Sequence, residues 1–76
     1  MSPKFANLKP QQVVRALQKG GFYVHETSGS HVQMKHPTKP GHVTVPKHAK
    51  VILKLKTLAT ILEQAGLTTD DLQELL

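Results

Sequence analysis

A chain of 76 residues makes one small domain, 1–76, with a thin core. It has no Cys, which excludes disulfides, thiolate metal sites and a cysteine nucleophile, and no apolar run near the roughly 20 residues that cross a membrane. All ten Lys and Arg lie between Lys4 and Lys56 against the single acid Glu26, giving +9, while residues 57–76 hold four acids and no base, giving −4. So uneven a charge predicts a surface that attracts polyanions, nucleic acid first among them.

The start, Met1-Ser2-Pro3-Lys4, lacks the apolar centre of a signal peptide, so a cytoplasmic protein is expected. Pro10 suits a first helical turn, Val13, Val14 and Leu17 fall on one side, and Gly20-Gly21 ends a helix predicted over 9–19. Phe22–Glu26 reads as a strand with Phe22 and Val24 on one face. Thr27-Ser28-Gly29-Ser30 is turn chemistry. His31–Lys35 is the second strand: alternation points Val32 and Met34 into a core and His31, Gln33 and Lys35 outward together. A second turn, Pro37-Thr38-Lys39-Pro40-Gly41, leads to a third strand, His42–Val45, which Pro46 stops.

The last third is helical. Leu58, Ile61, Leu62 and Ala65 follow the i, i+3, i+4, i+7 spacing, and Gly66 closes the helix. Its start is open, because Val51, Leu55, Leu58, Leu62 and Ala65 also make one stripe with no breaker after Lys47. Thr68-Thr69-Asp70-Asp71 then offers a cap and acids for a short terminal helix bearing Leu72, Leu75 and Leu76. The order α-β-β-β-α plus a short helix predicts an α+β fold: a three-stranded antiparallel sheet, two helices on one face, the other face open. That open face is predicted to carry Tyr23, His25, His31, Gln33, Lys35, His42 and Thr44.

Five histidines, at 25, 31, 36, 42 and 48, are spaced too evenly for a zinc site, and Glu26 is the sole acid near them. No metal and no cofactor is expected. His25, His36, His42 and His48 are read as surface residues or phosphate contacts. His31 differs, since an outward imidazole among lysines can exchange protons at neutral pH. RNA brings its own nucleophile, the 2′-hydroxyl, so cleavage needs proton transfer and stabilisation of phosphorane charge, without a metal. With Phe5, Phe22 and Tyr23 as the only aromatics, base stacking on an aromatic platform is not supported.

Gly29-Ser30-His31, Lys35-His36-Pro37, Val43-Thr44-Val45-Pro46 and Thr57-Leu58-x-x-Ile61-Leu62-x-Gln64-Ala65-Gly66-Leu67, in this order and spacing, resemble the HicA (YcfA-like) toxin family from about Val13 to Leu67. The resemblance implies a double-stranded-RNA-binding-domain-like fold. It implies an mRNA interferase of a type II toxin–antitoxin pair, one that cleaves mRNA without the ribosome or a metal, stops translation and is neutralised by a HicB-like antitoxin. The family's essential histidine maps onto His31. Family members often carry a Pro-Gly pair just before the final helix, where this chain has Leu55-Lys56.

The leading reading is a toxin ribonuclease. His31 is its general acid/base, Lys35, Lys39, Lys47 and Lys50 are candidate phosphate contacts, and Ser30 orients the turn or donates to a phosphate oxygen. The alternative is a non-catalytic double-stranded RNA-binding module, which reads shape and phosphates. Lys47-His48-Ala49-Lys50 resembles the basic helix start of such modules. A pure binder tolerates His31→Ala and the nuclease does not. A protein-interaction domain without nucleic acid leaves the +9 segment unexplained.

Overall fold

Helix α1 (Pro10–Lys19) starts where proline's missing N–H costs nothing. The Lys9 N–H donates to Gln12 Oε1 at 2.8 Å, so one orphan donor of the helix start is satisfied. The computed structural model describes residues 8–47 and 52–76, in the order α1, β1 (Tyr23–Ser28), β2 (His31–Lys35), β3 (Val43–Pro46), α2 (Leu55–Ala65), α3 (Thr69–Leu75). Val13, Ala16 and Leu17 of α1 are buried. The helix ends in a Schellman turn: Phe22 N donates to Leu17 O at 3.0 Å and Gly21 N to Gln18 O at 3.1 Å. Gly21 takes the left-handed φ of 97° that this turn requires.

The sheet order is β1-β2-β3, antiparallel throughout, as the two short connections require. Gly29, at φ 55°, opens the two-residue turn that pairs Ser28 with His31. Val32 and Met34 face the core with Val43 and Val45, and α1 and α2 pack over β3 on that side.

Strand β1 departs from the expected alternation. It runs Tyr23–Ser28 rather than Phe22–Glu26, and Phe22 is buried just ahead of it. Val24 pairs with Met34 and shares its face, yet remains 42 % exposed, because β1 is the edge strand far from β3, over which α1 and α2 pack. A bulge falls between Val24 and Glu26 and leaves His25 unpaired. One extra residue inverts the facing of everything after it. Glu26 and Ser28 therefore stand on the open face, opposite Gln33 and His31. His42 lies just ahead of β3, which begins at Val43.

Helix α2 begins at Leu55, after a non-helical Ile52–Lys54. Leu53 enters the core from this linker, its N–H donating to Leu8 O at 2.8 Å. Leu55 is 53 % exposed, so the longer stripe does not continue through it, and Val51 lies outside the described residues. Gly66, at φ 70°, closes the helix. Thr68 caps α3 reciprocally: its Oγ1 accepts from Asp71 N at 3.1 Å, and Asp71 Oδ2 accepts from Thr68 N at 3.0 Å. The Thr68 backbone N–H, foremost, and then the Thr68 hydroxyl hold the Asp71 carboxyl below its ordinary range. Helix α3 buries Leu72 and lies against α1. No helix among the described residues is long and apolar enough to cross a membrane.

Candidate active site

The open face reads as rows across the sheet. Ser28, His31 and Pro46 form one row; Glu26, Gln33 and Thr44 the next; Tyr23 and Lys35 the last. His31 opens the central strand, so it is held in register on both sides while its imidazole stays exposed. Ser30 Oγ lies 3.5 Å from His31 Nδ1, at the long end of hydrogen bonding. The Ser30 carbonyl accepts from Lys47 N. That bond joins the end of β3 to the start of β2, and it brings the backbone of Lys47 to the corner occupied by Ser30 and His31.

The other candidate cations are dispersed. Lys35 shares the His31 face but sits four residues along β2, roughly 13 Å away at strand spacing. Lys39 follows the far end of β2. Its ammonium donates to Ala65 O at 3.2 Å and lies 5.6 Å from the Phe22 ring centroid, so it serves the carbonyl end of α2 and a cation–π contact. Lys50 and His48 lie outside the described residues. Arg15 and Lys19 belong to α1 and Lys54 and Lys56 to the start of α2. Among the described residues the open face is therefore polar, with Lys35 and Glu26 upon it and Lys47 at its corner, rather than uniformly basic. Its one histidine in register is His31.

His36 has a structural post. Thr38 N donates to its Nδ1 at 3.2 Å, with Thr38 Oγ1 at 3.1 Å, and the ring meets Phe22 edge-on at 4.9 Å between centroids. Its Nε2 lies over Gly21, where a Cβ would come within 2.8 Å. His36→Ala removes an acceptor and an aromatic contact, each worth about 1 kcal/mol. The expected result is a melting temperature lower by roughly 8–16 °C. A thermal melt checks it: an unaltered midpoint would deny His36 this role.

Sequence reasoning left Glu26 off the open face, because the alternation it relied on has no place for a bulge. Its one available signal was its isolation, as the only acid before Glu63. Among the described residues no three His, Cys, Asp or Glu side chains stand together as a metal-binding group.

No curated protein matches the chain. Residues 10–67, from the start of α1 through the close of α2, match the family profile described as the HicA toxin of bacterial toxin–antitoxin systems. The matched stretch is most of the chain and contains the whole sheet, the Gly29-Ser30-His31 turn and Lys47. With the α-β-β-β-α order and the exposed histidine of its central strand, this 76-residue chain belongs to the HicA family of toxins.

Proposed function

We propose that the chain is an endoribonuclease that cleaves mRNA in the cytoplasm, without a metal, and so stops translation. His31 is the general acid/base. The observation that carries this reading is the exposed imidazole fixed at the start of the central strand, with Ser30 Oγ beside Nδ1 and Lys47 at the same corner. A hydroxyl on the Nδ1 side leaves Nε2 free to meet substrate. In the reaction the 2′-oxygen loses its proton and bonds to phosphorus, and the bond from phosphorus to the 5′-oxygen breaks. That oxygen takes up a proton, leaving a 2′,3′-cyclic phosphate and a 5′-hydroxyl end. Lys47 and Lys35 hold phosphates along β2, and Lys50 is assigned the same task from sequence. Ser30 orients the imidazole or donates to a phosphate oxygen. Lys39 is left out because its ammonium is engaged by Ala65 O. The partner is an antitoxin of the HicB kind.

The test is incubation of the purified protein with single-stranded RNA in excess chelator. The expected product carries cyclic-phosphate ends. Loss of cleavage in chelator, restored by one divalent ion, would move the chemistry to a metal-bound water. Retention of duplex RNA with no cleavage under any condition would favour the double-stranded RNA-binding module.

A further inference from the structure

The bulge at His25 has a chemical consequence. In a regular strand Glu26 would share the face of Val24 and Met34; the bulge instead sets it opposite Gln33, on the face of His31. Gln33 is two residues from His31 along β2, so Glu26 and His31 are diagonal neighbours across the strand pair. Diagonal positions stand about 7–8 Å apart, within joint reach of two long side chains. Bulges often re-aim a side chain beside an active site in this way. Both residues are exposed. This carboxylate is also the single negative charge among residues 1–62, which carry all ten Lys and Arg. On a surface that must attract RNA, an acid in that row opposes binding, whereas a base for the 2′-hydroxyl is needed there.

We propose that Glu26 is a second catalytic residue, the base of the cleavage step, with His31 as its acid; this rests on the ribonuclease reading above. At neutral pH a carboxylate only accepts, and an imidazolium donates. The Glu26 carboxylate takes the 2′-hydroxyl proton as the 2′-oxygen bonds to phosphorus. The bond to the 5′-oxygen breaks, and that oxygen takes the proton from the His31 imidazolium. The protein ends with Glu26 protonated and His31 neutral; Glu26 then releases its proton to solvent and His31 takes one up from solvent before the next turnover. No co-reactant is consumed in forming the cyclic phosphate.

The experiment compares wild type, Glu26→Gln, Glu26→Asp and His31→Ala on one RNA substrate, with kcat/KM measured across pH and binding measured on its 2′-deoxy analogue. Glu26→Gln is expected to lower kcat/KM about 100-fold, the lower end of general-base effects, and to erase the acidic limb of the pH profile. Glu26→Asp is expected to keep that limb at an intermediate rate. Binding of the deoxy analogue should hold or tighten in Glu26→Gln, since a negative charge is lost. A folded Glu26→Gln that cleaves at the wild-type rate with an unchanged profile, beside an inactive His31→Ala, overturns the base assignment and leaves the ribonuclease reading standing. A rate loss matched by an equal loss of binding overturns it too. A fully active His31→Ala overturns the acid role of His31, and a wild type that cleaves no RNA overturns the ribonuclease reading itself.

Discussion

His31→Ala is expected to slow RNA cleavage at least 100-fold and to end growth arrest, with the melting temperature moving by no more than about 4 °C. The first figure is the low end of what a positioned acid or base contributes. The second follows from where the side chain sits. His31 is exposed, it faces away from Val32 and Met34, and its hydrogen-bond neighbour is the Ser30 hydroxyl. Its backbone pairing with Ser28 and Pro46 survives the substitution. Surface changes of this kind stay within about 0.5 kcal/mol, and a domain of this size shifts by about 4–8 °C per kcal/mol. His31→Gln sharpens the measurement, because a carboxamide still fills the site and hydrogen-bonds but neither gains nor gives up a proton at neutral pH. Both variants should be inactive and both should fold. A folded, purified His31→Ala that cuts RNA at the wild-type rate would remove His31 from the mechanism.

The parts of this molecule that sequence made legible are those fixed by local chemistry. Strand β2 alternates cleanly, so Val32 and Met34 alone put His31 on the outward side. Helix α3 announces its start with the Thr68–Asp71 box, and α2 announces its end with Gly66. The start of α2 has no such mark: Lys54 caps it without a side-chain bond, and an apolar residue, Leu55, stands exposed in its first turn. A periodic stripe therefore ran on into the linker. Strand β1 failed for a different reason. A bulge in an edge strand is decided by cross-strand pairing with β2, and Phe22 and Val24 fit an unbroken alternation equally well on paper. The same limit applies to Lys39, which sequence offered as a phosphate contact and whose bond to Ala65 O spans 26 residues. Lys47 was legible as a cation, whereas its post beside His31 depends on the bond from its N–H to Ser30 O.

The antitoxin is expected to cover the His31 face as a rigid lid, abolishing cleavage while bound, and to associate at a rate that falls steeply with salt. Membership of a toxin–antitoxin family supplies the partner's existence, and the fold argues for where it sits. On one face of the sheet α1 and α2 pack over β3, and the other presents His31, Gln33, Lys35 and Thr44 to solvent. Inhibition by distortion would require β2 to shift, and β2 is the central strand, paired to β1 and β3 at once. Covering the face breaks none of those bonds. The +9 segment should guide an acidic partner, and steered association runs about 100-fold or more above the neutral rate at low salt. Lys47→Glu, at the corner of the site, is expected to slow association severalfold while dissociation changes less. Amide protection in the complex locates the lid: exchange should slow along β2 and at Lys47 and leave α3 unaltered. A partner that protected only α3, around Asp70, Asp71 and Glu74, with His31 still open to RNA, would rule occlusion out and require that inhibition work through the packing of α3 on α1.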